Sequence, residues 1–82
     1  MNCYKVTLRV VNEVGVLARV TIFLRKHQIN IMSLNVEPIL ENEKNSIMSM
    51  VITSEKDEWQ FIKVVRKLER LIPIIDVSFE LC

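Results

Sequence analysis

The chain has 82 residues, half of them apolar, with a mean hydropathy of +0.25. Eleven basic and ten acidic residues leave a net charge of +1, which excludes a global field steering the chain toward DNA, RNA or an anionic membrane. A chain of this length is expected to fold around one core as a single domain over residues 1–82, and its apolar share exceeds what one copy can hide, so a dimer is expected.

The longest apolar runs are only a few residues, and the first residues show no basic segment followed by an apolar signal core, so a cytoplasmic location is expected. Cys3 and Cys82 fit neither a metal-ligand spacing nor a Cys-x-x-Cys redox pair. They read as two reduced thiols, and the chain is expected to carry no cofactor and no metal.

Tyr4 to Val10 alternates, with Tyr4, Val6, Leu8 and Val10 on one side and Lys5, Thr7 and Arg9 on the other, the period of a strand covered on one face. A turn follows at Asn12-Glu13-Val14-Gly15. Val16, Leu17, Val20, Phe23, Leu24 and His27 then recur at spacings of three and four, which predicts an amphipathic helix over Val16 to Gln28. A second strand is expected over Ile31 to Pro38, ended by the proline.

Residues Glu41 to Asn45 are polar and read as a hairpin tip, followed by a third strand with Met48, Met50 and Ile52 on its apolar side. Ser54-Glu55-Lys56-Asp57 resembles a helix cap in which the Ser54 hydroxyl serves the exposed backbone N–H groups. The second helix places Phe61, Ile62, Val65, Leu68 and Ile72 on one side, with Trp59 near its start, and Pro73 stops it. Ile75, Val77, Phe79 and Leu81 alternate through a fourth strand.

The order βαββαβ predicts an α+β, ferredoxin-like fold: a four-stranded antiparallel sheet, order 4-1-3-2, with both helices on one face. In that order the first and fourth strands are antiparallel neighbours, which brings Cys3 near Cys82 and makes a disulfide the alternative to free thiols.

Asn12 and Gly15, the single glycine, stand where the chain leaves a strand to open a helix. Helix-opening N–H groups attract a carboxylate, a glycine lets a ligand approach the backbone, and an asparagine offers both a donor and an acceptor. The competing reading is plain turn chemistry, with Asn12 as a cap and Gly15 relaxing the backbone.

The stretches NEVGVLARV, INIMSLNV, SIMSMVIT and KLERLIPIIDV resemble an ACT domain, most closely that of the regulatory, or small, subunits of acetolactate synthase. In that family an Asn-x-x-Gly-x-Leu motif opens the first helix at a subunit interface and binds an amino-acid effector; Asn12, Gly15 and Leu17 match it. A second asparagine, in Asn-Ile-x-Ser-Leu, reaches the same ligand across the dimer, and Asn30 to Leu34 match that sequence. The resemblance implies an effector site at Asn12, Gly15, Val16, Leu17 and Asn30, with Val14, Val16 and Leu17 near the effector side chain.

It also implies a non-catalytic regulatory subunit that binds a branched-chain amino acid, valine first, and controls the thiamine-diphosphate-dependent catalytic subunit of acetolactate synthase. The alternative is a stand-alone ACT sensor regulating another enzyme or a transcription factor. Family members often carry a small residue such as glycine where Gln28 stands.

Other residues read as structural. His27 is expected to be a favourable charge or polar tip at a helix C-terminus, and Lys63, Arg66, Lys67 and Arg70 a solvated face. Met32, Met48, Met50 and Trp59 are expected to fill core. Catalysis of the acylphosphatase kind, which the fold supports, is excluded by the loop after the first strand. That loop lacks a glycine-rich cradle and places Glu13 where an anionic substrate would approach.

Overall fold

A computed structural model describes residues 1–11, 13–39 and 42–82. The elements are β1 (Asn2–Val11), α1 (Val14–Lys26), β2 (Asn30–Ile39), β3 (Asn42–Ser54), α2 (Glu58–Leu71) and β4 (Ile74–Leu81). All strand pairings are antiparallel, in the order β2-β3-β1-β4. This is the expected ferredoxin-like plan.

One face of the sheet is dry. Tyr4, Val6, Leu8 and Val10 of β1 lie across from Ile52, Met50, Met48 and Ser46 of β3, and all eight are buried. Val16, Val20, Phe23 and Leu24 of α1 and Phe61, Val64, Val65 and Leu68 of α2 close the same core. Tyr4 stacks face to face on Phe61 with centroids 4.1 Å apart, and Phe79 of β4 meets both rings edge-on. α2 therefore sits over β1 and β4. The intervening residues Lys5, Thr7 and Arg9 are exposed on the uncovered face.

The element ends depart from expectation for local reasons. α2 begins at Glu58 because Asp57 caps it: its carboxylate accepts from the Gln60 N–H at 2.8 Å while the Gln60 side chain accepts from the Asp57 N–H at 3.1 Å. Ser54 instead accepts from the Lys56 N–H, one turn too early to cap the helix. β3 starts at Asn42, inside the polar run expected as a loop, since an exposed ladder end needs no apolar residues. Glu41, the first residue of that tip, and Leu40 before it lie outside the described residues. Pro38 is accommodated within β2 because β2 is a sheet edge.

α1 ends at Lys26, two residues earlier than its periodicity suggested, because Gln28 adopts φ 60°, the one positive φ among the described residues. The Ile29 N–H bonds the Leu24 carbonyl and the Gln28 N–H the Arg25 carbonyl, the pair of bonds that closes a helix through a left-handed residue. Ile29 and Leu24 are both buried in the core. Gln28 thus occupies a position that favours glycine.

Three expectations are corrected. Cys3 and Cys82 are joined in a disulfide with their Cα atoms 5.3 Å apart, not held as two thiols. The β1–β4 pairing places them side by side, and the Cys82 N–H bonds the Cys3 carbonyl at 3.0 Å. Met32 and Trp59 are exposed, at 62% and 63%, whereas Met48 and Met50 fill core as expected. Met32 is the extra residue of a register shift on the edge strand, and Trp59 lies on the α2 face opposite Phe61 and Val65. No helix among the described residues is long and apolar enough to cross a membrane.

Candidate functional site

The turn from β1 into α1 is tight. The Glu13 N–H bonds the Val11 carbonyl, and the Glu13 carbonyl receives the Val16 and Leu17 N–H groups at 3.0 and 3.2 Å. Glu13 stands at the N-cap in extended conformation, and its side chain makes no capping bond. Asn12, one of the residues expected to hold the effector, lies outside the described residues, as does the side chain of Val14.

Gly15 is the second residue of α1 and is exposed. Its φ is not positive, so the backbone does not require a glycine. A Cβ built there meets no atom within 4 Å, so packing within the chain does not require one either. Its N–H belongs to the first helical turn, which has no intrahelical acceptor. An open backbone donor with no side chain in front of it is suited to a small anionic group or a closely approaching neighbour.

Val16 is 4% exposed, its side chain committed to the core, so it offers an effector only backbone. Leu17 is half-buried against the same core. Asn30 is exposed at the start of β2, its side-chain amide 3.2 Å from the Met32 sulfur.

Gly15 and Asn30 do not meet within one chain. Asn30 pairs with Thr53, which pairs with Cys3 at the beginning of β1. The turn carrying Gly15 follows Val11, eight residues further along the same strand, about 26 Å at 3.3 Å per residue. The two halves of the motif stand at opposite ends of the sheet.

Asn30 borders a hollow of about 290 Å³ lined by Thr21, Ile22, Arg25, Ile29, Asn30 and Ile31. Thr21, Ile22 and Arg25 were not singled out from sequence, although their spacing of one and four on α1 aligns them toward the same side. A larger hollow of about 510 Å³ lies on the uncovered sheet face. Its floor includes Asn35, Ser49, Thr7 and Ser78, a row of small polar side chains across all four strands, away from both Gly15 and Asn30.

The edge beside the smaller hollow is apolar. Met32, Leu34 and Val36 on β2 and Ile22 on α1 are exposed, so part of the expected surplus of hydrophobic surface lies along one unpaired strand and the helix layer above it. His27 stands at the C-cap of α1, the helix end where a charge or polar tip was expected, and stacks obliquely on Phe23 with centroids 4.4 Å apart. Burial lowers its pKa below the ordinary value, and Lys67, Lys56 and Lys26 lower it further. Both effects favour the neutral imidazole.

No curated protein sequence matches the chain. Among solved structures it resembles the acetolactate synthase small subunit of Thermotoga maritima, with a TM-score of 0.77 and 19% identity over 95% of this chain and 47% of that one. It also resembles an ACT domain protein of Streptococcus pneumoniae (TM-score 0.76, 12% identity, 98% of this chain and 89% of that one). The C-terminal domain of the MgtC protein of Mycobacterium tuberculosis is similar as well (TM-score 0.75, 13% identity, 100% and 88%). These likenesses describe the fold, and the chain spans about half of the acetolactate synthase small subunit. The family assignment comes from sequence: residues 6–75 match the family described as the AHAS small subunit-like ACT domain, and the chain belongs to that family.

Proposed function

We propose that this chain, acting as one ACT domain over residues 1–82, is a non-catalytic regulatory subunit. It binds a branched-chain amino acid, valine first, and controls the thiamine-diphosphate-dependent catalytic subunit of acetolactate synthase. The observation that carries the reading is Gly15, a glycine that neither the backbone nor the packing of its own chain requires.

Two copies joined through their β2 edges build the site. Antiparallel pairing of β2 with its symmetry mate sets the Asn30 end of one protomer level with the Pro38 end of the other. Pro38 is level with Ser46 and Val10, so the partner's helix-opening turn follows close by. Gly15 of one protomer and Asn30 of the other then face one cleft, twice per dimer, and the family motif adds Asn12 to the effector's partners. The same pairing covers the exposed Met32, Leu34, Val36 and Ile22 and removes an unpaired strand edge. Effector control requires that the amino acid bind active and inhibited assemblies with different affinity.

Calorimetric titration with valine, leucine and isoleucine, on the wild type and on Gly15→Ala, tests the reading. A Cβ at Gly15 enters open space in the isolated chain, and alanine favours a helix over glycine, so the variant folds and is more stable by up to about 1 kcal/mol. Weaker effector binding by a more stable protein supports a ligand at the glycine; unchanged binding refutes it. A second reading, a stand-alone sensor for another enzyme or a transcription factor, is favoured by the likeness to the Streptococcus pneumoniae ACT domain protein, 89% of which this chain covers. Failure to bind a purified acetolactate synthase catalytic subunit would select it.

A further inference from the structure

The near-neutral total conceals a concentration of positive charge on the two helices. α1 and α2 carry seven basic and two acidic residues, a net of five positive; the remaining four basic and eight acidic residues leave the rest of the chain with a net of four negative. The basic groups concentrate on α2. Trp59, Lys63, Arg66 and Arg70 follow one another at spacings of four, three and four, forming one outward stripe about 16 Å long on the face opposite Phe61, Val65 and Leu68.

All four stripe residues are exposed, as are Lys67 beside them and Leu71 at the stripe's end. Lys63 Nζ lies 5.6 Å from the Trp59 ring centroid. Among the described residues, Arg66, Lys67 and Arg70 form no ion pair. Tryptophan and arginine are the side chains that dominate protein interfaces, and the seam spacing is that of helix-on-helix packing. α2 lies over β1 and β4, away from the β2 edge, so the stripe stays open when two copies pair through β2.

We infer that the Trp59–Lys63–Arg66–Arg70 stripe docks an acidic helical surface of the catalytic subunit, a conclusion that rests on the function proposed above and adds the contact face. Charge complementarity selects the occupant. A duplex phosphate backbone fits less well because Glu69 interrupts the patch and Asp57 and Glu58 stand at its apolar end. A second copy fits less well because it offers no strongly acidic face: its four strands carry three basic and four acidic residues.

Binding of the purified catalytic subunit by the full 82-residue chain is measured at 50 and 200 mM salt for the wild type, Arg66→Glu/Arg70→Glu and the milder Arg66→Gln/Arg70→Gln. Folding is checked by circular dichroism, and a 20-base-pair DNA duplex is run in parallel. The expected result is salt-sensitive wild-type binding, weakened at least about tenfold by charge reversal and less by neutralisation, with valine titration unchanged. Equal binding by folded variants overturns the stripe and leaves the partner reading intact. Absence of wild-type binding overturns the partner reading and the stripe's occupant with it. Preferential binding of the duplex, lost in the variants, overturns the protein occupant.

Discussion

Gln28→Gly should make the protein more stable. Gln28 holds φ 60°, where a residue with a Cβ costs about 1–2 kcal/mol and glycine costs nothing. The glycine variant gives back about 0.4–1 kcal/mol through the greater freedom of its unfolded chain. The bonds that close α1 here are all backbone to backbone, and the Gln28 side chain is exposed, so no packing is lost. The net gain is about 0.5–1 kcal/mol, equivalent to a rise of about 3–6 °C in Tm for a domain of this size. Thermal and urea unfolding followed by circular dichroism, at one protein concentration and with the disulfide intact, reads it directly. Gln28→Ala, which keeps the Cβ, should show no comparable gain. A glycine variant with unchanged or lower Tm, or an alanine variant stabilised equally, would refute the backbone argument.

The buried Tyr4 hydroxyl has no hydrogen-bond partner among the described residues, so Tyr4→Phe should keep the stack on Phe61 and raise stability by about 1 kcal/mol in the same unfolding assay. Burial, with Glu58 and Asp57 adding to it, raises the Tyr4 pKa; wild-type stability should hold below pH 10 and fall above it, a loss the phenylalanine variant lacks. The His27 pKa is depressed by burial and by lysines, so the unfolded chain takes up its proton first. Stability is intact above about pH 6.5 and declines as pH falls through the folded value, and His27→Gln should flatten that part of the wild-type slope. The Cys3–Cys82 bond, spanning 79 positions, restricts nearly the whole unfolded chain; Cys3→Ser/Cys82→Ser should lose up to about 4.5 kcal/mol by loop entropy, measured as a lower urea midpoint. Leu34→Lys, which places a charge on the β2 edge, should weaken self-association at least about tenfold in sedimentation experiments while leaving the monomer folded.

Local pattern carried much of this protein. The period-two run from Tyr4 to Val10 and the three-and-four spacings of α1 and α2 report directly which side of each element is dry, and the order of elements leaves few ways to close a sheet. The turn that opens α1 was likewise legible in the run ending at Gly15, because helix-opening turns are local objects. What escaped the pattern depends on neighbours distant in sequence. Met32 and Leu34 alternate as core residues do, yet β2 is a sheet edge, and only the strand order reveals that they are left exposed. Trp59 is apolar, but the face it occupies is set by how Phe61 locks onto Tyr4. Cys3 and Cys82 are 79 positions apart, and their bond follows from the β1–β4 register. The even balance of charge hid a basic helix layer over a more acidic remainder, since a total contains no positions. The distance between Gly15 and Asn30, the feature from which the proposed two-copy site is argued, exists only in the folded sheet, because strand pairing converts eight residues of sequence into about 26 Å of separation.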